Sequence, residues 1–400
     1  MSDIYTGIDI GTDNIKIVVC EKTNDKYHVL ACVSNPSAGV SRGFIIDTKA
    51  AVSSVKAAIK KIDFMLGTKI NKVVACVPPE GCRMDIVSGK SDIIDYNEIT
   101  GDDVNNVLKS ALKGQNFSEY ELVTAMPINF TIDSLNSVKD PKGFKGSSLS
   151  ARIVISTTQK ESLYRILEVL KLSGLEVIDI CYTSFGDYFA LKNKKCDNLV
   201  GAIINIGEES TNISVFNRGI QIKNGLVPIG SKHVDKDLTY VFKSKLSDSR
   251  DLKEKFAVAL TSYADTNDIW DLKIDKDSYK EVNQLGVTKV VEARVRELLK
   301  LAKNEIKNLT NREIRYIIIT GGLTELAGFQ YLVEKEFGFV ARVGNLNIPG
   351  IRHNKYSSCY GAIKFFIEKL NLRDKHYNMF NEDDVEKIHS VSSTLLDWYK

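Results

Sequence analysis

Gly7-Ile8-Asp9-Ile10-Gly11-Thr12-Asp13-Asn14-Ile15-Lys16-Ile17-Val18-Val19 joins an apolar strand to a second, β-branched strand through a tight polar turn. The pattern returns as Ile204-Asn205-Ile206-Gly207-Glu208-Glu209-Ser210-Thr211-Asn212-Ile213-Ser214-Val215-Phe216, with a turn longer by two residues. Successive backbone N–H groups at such a turn form a nest for anionic oxygens. Gly11 allows close approach, and Thr12 and Asn14 add side-chain donors. Two such hairpins facing each other across a cleft would grip the phosphates of one nucleotide from both sides. Asp9, at the end of a buried strand, would then need a cation between itself and the phosphates, which points to Mg²⁺ held largely through water.

The bulk composition admits this reading. A chain of 400 residues with 43% hydrophobic and 26% charged content is long enough for two or three soluble domains. A net charge of +3 gives no ground for nucleic-acid binding. Seven cysteines without CxxC spacing fit reduced thiols better than disulfides or zinc. No signal peptide and no apolar run of about 18 residues is visible. The expected location is therefore cytoplasmic, unless a peripheral anchor ties the chain to a membrane.

Between the hairpins the order is strand, helix, strand, an α/β layer. Asp47 or Thr48 caps a helix with the stripe Val52, Val55, Ile59 and Ile62, leaving Lys56, Lys60 and Lys61 solvated. A strand over 71–77 ends at Pro78-Pro79. The middle section changes character, with a helix over 99–113, strands over 120–126, 129–133 and 150–156, and a turn-rich loop over 138–146. It reads as a small α+β unit inserted in the larger α/β domain. Helices follow over 161–173 and 183–192. After the second hairpin, residues 235–304 read as helical and highly charged. An apolar strand over 314–320 then delivers Gly321-Gly322-Leu323, a turn where backbone can approach a ligand at a helix start. Helices over 329–337 and 356–370 close the folded part.

Three such elements in this order resemble the actin/Hsp70/sugar-kinase ATPase superfamily, an actin-like ATPase fold with duplicated ribonuclease-H-like domains around a nucleotide cleft. The inserted unit narrows the match. Arg42-Gly43-Phe44-Ile45-Ile46-Asp47, Asp140-Pro141-Lys142-Gly143-Phe144-Lys145-Gly146-Ser147-Ser148-Leu149 and Gly174-Leu175-Glu176-Val177 are similar to patterns of the FtsA family of bacterial division proteins, with its SHS2-type insert. The resemblance covers about residues 4–370. It implies subdomain 1A over 1–82, 158–193 and 354–372, the inserted 1C module over 83–157, subdomain 2A over 194–228 and 300–353, 2B over 229–299, and a linker with a terminal helix over 373–400.

The resemblance also implies ATP and Mg²⁺ as ligands. ATP would be held by Gly11, Thr12, Asp13, Asn14 and Lys16, by Gly207, Glu208, Glu209, Ser210, Thr211 and Asn212, by Lys253, and by Gly321, Gly322 and Leu323; Asp9 would serve the metal. It implies an actin-like filament of this chain at the cytoplasmic side of the membrane, recruiting FtsZ to the division septum. The acidic FtsZ C-terminal peptide would dock on subdomain 2B, where Lys236, Lys243, Lys245 and Arg250 suit an acidic tail. Departures from the family pattern are specific. Asn205 replaces an aspartate, Glu208-Glu209-Ser210 stands where two glycines and a threonine are usual, and Arg250 replaces an acid expected to meet the ribose. No catalytic residue is assigned, and hydrolysis is expected to be slow at most.

At 100° per residue, Val385, Ile388, Val391, Leu395, Leu396, Trp398 and Tyr399 share one face of a terminal helix, which resembles the membrane-targeting helix of the family. Its polar face sets Asp384, Glu386 and Asp397 against Lys387 and Lys400, unlike the basic face usual for interfacial helices. Packing onto the protein's own surface or onto another chain is the competing expectation. Competing functions are an adaptor like the type IV pilus protein PilM, which shares the inserted module, and a sugar or acid kinase, for which no sugar-binding constellation with a general base is visible.

Overall fold

The computed structural model describes residues 3–24, 26–134, 136–275, 278–346 and 348–397, with side chains undescribed at Asn136 and beyond Val391. The chain forms two compact units. One comprises residues 1–190, 348–351 and 358–400, the other residues 191–347 and 352–357.

The first unit is built on β1 (Asp3–Ile10), β2 (Asn14–Thr23) and β3 (Lys26–Pro36), followed by a minimal hairpin, β4 (Val40–Ser41) and β5 (Phe44–Ile45). Asp47 caps α1 (Thr48–Leu66) by accepting the Ala50 N–H, and Gly67 ends it in the left-handed conformation, φ +69°. The buried stripe of α1 is Ala51, Ser54, Val55, Ala58, Ile62 and Leu66. It is rotated from the expected one because small residues face the sheet, and Val52 and Ile59 flank it. After β6 (Lys72–Val77) comes the insert: β7 (Arg83–Asp92), α2 (Gly101–Leu112), β8 (Tyr120–Ile132), β9 (Asn136–Val138) and β10 (Ser148–Gln159). Its sheet runs β7-β10-β8-β9, and Val104, Val107 and Leu108 of α2 join Phe130, Ile132, Leu149 and Ile153 in a core of its own. The two strands expected over 120–133 are one. Pro127 falls at a register shift opposite Arg152/Ile153, so the chain bulges there instead of turning.

Lysine 142 explains the loop over 140–149. Its Nζ lies 2.8 Å from Asp374 and donates to the Asn371 carbonyl, while Asp374 also accepts the Gly101 N–H. Three segments are thereby tied together. Then follow α3 (Lys160–Leu172), β11 (Glu176–Tyr182) and α4 (Thr183–Leu191). The main sheet runs β11-β6-β1-β2-β3, with β1–β2 and β2–β3 antiparallel and β1–β6 and β6–β11 parallel.

The second unit repeats that plan. Its strands are β12 (Val200–Ile206), β13 (Thr211–Asn217), β14 (Ile220–Val227), β15 (Ile269–Asp275), β16 (Ser278–Asn283), β17 (Tyr316–Thr320) and β18 (Ala341–Val343). Its helices are α5 (Ser231–Phe242), α6 (Leu246–Lys255), α7 (Gln284–Leu309) and α8 (Phe329–Phe337). The main sheet runs β18-β17-β12-β13-β14 with the same directions, so β12, β13 and β17 take the places of β1, β2 and β6. Where helix was expected throughout 235–304, β15 and β16 form an antiparallel hairpin. Among its described side chains only Leu272 and Val282 are buried. The alternation is real, but too short and too charged to stand out beside long helices.

Helix α9 (Ser357–Leu372) returns to the first unit, where Cys359 and Ile363 pack on β1 so closely that a Cβ on Gly7 would lie 2.5 Å from the Cys359 carbonyl oxygen. It crosses α4 with only glycine between, since a Cβ on Gly361 would lie 1.7 Å from the Gly186 carbonyl oxygen. Helix α10 (Glu382–Asp397) ends the described chain.

Candidate functional site

Each unit carries one of the two hairpins. In the first, the Gly11 N–H closes the turn on the Asn14 carbonyl (3.1 Å). The Thr12 hydroxyl oxygen accepts the Gly43 N–H (2.9 Å), and Ser37 donates to the Asp13 carbonyl (2.9 Å). Arg42 and Gly43 adopt positive φ, +48° and +80°, which turns the Gly43 N–H onto Thr12. That buttress was not read from the sequence, although the Arg-Gly pair at a turn carries the signal. Asn14 donates to the Asp13 carboxylate at 2.5 Å.

Asp9 is buried at the end of β1 with Lys16 Nζ at 2.8 Å from its Oδ2. Burial alone would drive the proton off Lys16, but the facing Asp9 carboxylate outweighs it and raises the pKa above that of an ordinary lysine. Among the described residues, no group of three or more His, Cys, Asp or Glu is placed to hold a metal ion. Mg²⁺ needs only one or two carboxylates when phosphate oxygens and water supply the rest. Asp9 fits it on those terms alone, as a single protein ligand beside a nucleotide.

In the second unit the turn between β12 and β13 is closed by the Gly207 N–H on the Ser210 carbonyl (3.0 Å). The first N–H groups of α5 are spent on this turn, Ser231 donating to Gly207 and Lys232 to Glu208, each at 2.9 Å. A Cβ on Gly230 would lie 2.5 Å from both the Gly207 and Glu208 carbonyl oxygens, and one on Gly321 (φ +107°) 2.2 Å from that of Ile206. Glycine at both positions lets α5 and the end of β17 close on the hairpin. The fold thus brings Gly321 against the end of β12, beside the turn over 207–210. Thr211 donates its hydroxyl proton to the Ile229 carbonyl, and Asn212 Oδ1 is buried with no donor. Leu323 turns its side chain into the unit's core, leaving only its backbone to a ligand.

Charges around this turn are paired. Glu209 meets Lys232 Nζ at 2.9 Å, and Glu208 meets Arg250 at 3.7 Å. Arg250 also bonds Glu254 at 2.9 Å. Two departures from the family pattern, the acid in the turn and the arginine on α6, therefore neutralise one another. Lys253 is not a surface lysine. It is 5% exposed, with Nζ 2.7 Å from the equally buried Asp235. Burial pushes the Asp235 carboxyl up despite the pull of Lys253. Lys236, Lys243 and Lys245 are exposed, and beside them Tyr240, Val241 and Leu246 are exposed as well.

Two sheets of one topology, each opening with a strand–turn–strand hairpin, define the actin-like ATPase fold. Solved structures with this fold include the PilM-PilN type IV pilus biogenesis complex (TM-score 0.59, 14% identity, covering 90% of this chain and 98% of that one) and MreB5 of Spiroplasma citri bound to ADP (TM-score 0.57, 10% identity, 93% and 99%). The family model for cell division protein FtsA matches residues 202–361, and that for the SHS2 domain inserted in FtsA matches residues 81–157. The cell division protein FtsA of Bacillus subtilis is 25% identical over 396 residues, 98% of this chain and 90% of that protein. The protein of the same name from Streptococcus pneumoniae is 25% identical over 364 residues, 90% and 79%. The chain belongs to the FtsA family of cell division proteins.

In the described part of α10 the apolar face lies on the first unit. Ile388 is 1% exposed, Val391 meets Gly67, Asp384 accepts a bond from the Thr68 hydroxyl (2.7 Å), and His389 lies 2.7 Å from Glu21. Val385 is half-buried. The side chains of Leu395 and Leu396, and all of Trp398 and Tyr399, lie outside the described residues. Among those described, no helix is long and apolar enough to cross a membrane.

Proposed function

We propose that the protein is an ATP-binding, filament-forming division protein that attaches peripherally to the cytoplasmic face of the membrane at the septum and recruits FtsZ there, with little or no ATP hydrolysis. The observation that supports nucleotide binding is the duplicated strand–turn–strand hairpin, closed in the first unit at Gly11 and packed in the second against Gly230 and Gly321. Weak hydrolysis follows from the chemistry of the second turn. Asn205 cannot orient a metal-bound water as a carboxylate would, and Glu208 and Glu209 oppose a triphosphate unless Lys232 and Arg250 hold them. Lys253 supports the nucleotide site by neutralising Asp235 beneath it.

Lys236, Lys243 and Lys245 around exposed Tyr240, Val241 and Leu246 suit an acidic peptide with apolar anchors, as the FtsZ tail reading requires. Residues 395–399 supply the apolar membrane contact, and membrane use of Ile388 and Val391 requires α10 to leave the body. Calorimetric titration with ATP, with and without Mg²⁺, tests the first claim. The expected result is measurable binding that weakens when Mg²⁺ is removed, with phosphate release near background. Failure to bind ATP in either condition would overturn it. An FtsZ tail peptide should bind at low salt and lose most of its affinity at high salt, and no binding at low salt would reject the 2B surface.

A further inference from the structure

The outward face of α1 is basic and ends in exposed apolar residues. Lys49, Lys56, Lys60 and Lys61 are all exposed. The helix's sole acid, Asp63, lies on this face three residues after Lys60, with its carboxylate accepting the Ile70 N–H at 2.9 Å. At the C-terminal end Phe64 is 89% and Met65 46% exposed. They border a groove of about 730 Å³ between α1 and β3, lined by Cys32, Val33 and Ala57 and rimmed by Lys60 and Lys61. A lone exposed apolar residue is ordinary. Two adjacent ones over an apolar groove, on a helix face that carries Lys49, Lys56 and Lys60, form the pattern of a membrane-surface helix.

The neighbourhood selects the partner. Helix α10 is fastened to the same end of α1, with Val391 against Gly67 and Asp384 on Thr68. In sequence, the apolar residues Leu395 and Leu396 follow Val391 by four and five positions. The terminal helix lacks the basic polar face that draws interfacial helices to anionic lipid, and α1 carries that charge beside it.

We infer that the Phe64–Met65 end and lysine face of α1 form a second membrane contact of this protein, specific for anionic bilayers and cooperating with the terminal helix. The inference rests on the membrane association proposed above. Phe64 and Met65 enter the headgroup region, and Lys56 and Lys60 lie over anionic headgroups. Each contact alone is weak, and the two on one body act together.

The test is co-sedimentation of the full-length protein with phosphatidylglycerol vesicles and with phosphatidylcholine vesicles, for wild type, Lys56→Glu/Lys60→Glu, Phe64→Ser/Met65→Ser and Leu395→Asp/Leu396→Asp. All substitutions are at the surface or in the terminal segment, and matching thermal melts identify a folding defect. The expected result is phosphatidylglycerol binding by wild type that falls roughly tenfold in the lysine pair, together with a comparable loss in the Phe64/Met65 pair that persists at high salt. If both α1 variants bind like wild type while Leu395→Asp/Leu396→Asp does not bind, the α1 contact is overturned and the terminal anchor stands. If no protein binds either vesicle, both fail. Lipid-free, concentration-dependent self-association that Phe64→Ser/Met65→Ser abolishes, with lipid binding unaffected, would overturn the contact in favour of a protein interface.

Discussion

At the scale of single residues, the second phosphate turn is defined by charge. Glu208 and Glu209 bring two carboxylates to a place where a nest of N–H groups would receive anionic oxygens, and Arg250 and Lys232 answer them. On the proposed reading, a nucleotide would compete with these internal anions for the same two cations. Replacing both acids, Glu208→Gly/Glu209→Gly, removes the repulsion and frees Lys232 and Arg250 to meet phosphate. ATP affinity is expected to rise roughly tenfold or more, read by calorimetry at low salt, and unchanged affinity would show that these pairs do not govern the site. The turn itself was legible from its Ile-Gly…Asn-Ile frame. The role of Lys253 was not, because its partner Asp235 lies on another helix and nothing local marks a lysine as buried.

At the scale of elements, the inserted module is held by one carboxylate in the first turn of α2, Asp103. Asp103 Oδ1 accepts the Ile94 N–H, and Oδ2 accepts both the N–H and the hydroxyl of Thr100, each near 2.9 Å. Burial would raise its pKa, but these donors outweigh burial and hold it below the usual carboxylate range. A depressed folded-state pKa gives stability that is complete above the unfolded value of about 3.9 and is lost as pH falls through the folded one. Acid unfolding of the module should therefore be shifted by Asp103→Ala, which lowers stability at neutral pH by about 1–2 kcal/mol and flattens the dependence below pH 4 in circular dichroism melts. Elements with strong local signals were readable: the Asp47 cap and the apolar strands. The β15–β16 hairpin and the continuous β8 were hidden, since the first shows little burial and the second carries a proline absorbed by a bulge.

At the scale of the molecule, the sequence announces its duplication through two hairpins, and the sheets repeat it strand for strand. The terminal helix is where pattern and placement differ in meaning. An apolar stripe states that a face will be covered but not by what, and here its first turns are covered by the protein's own α1 and β2. Ile388 is fully buried there, so Ile388→Ala should cost about 2–4 kcal/mol of stability, seen as a lowered melting temperature. An unchanged melt would mean that the helix spends its time off the body.

The pairing of Lys16 with Asp9 has a kinetic consequence. A side-chain ammonium tethered seven residues away in a hairpin behaves like a cation at millimolar local concentration or above, permanently available to the carboxylate. On the reading proposed above, a magnesium ion would have to displace the Lys16 ammonium from Asp9 before using that carboxylate, and Lys16 would reclose on it without waiting for diffusion. Asp9 is therefore seldom bare.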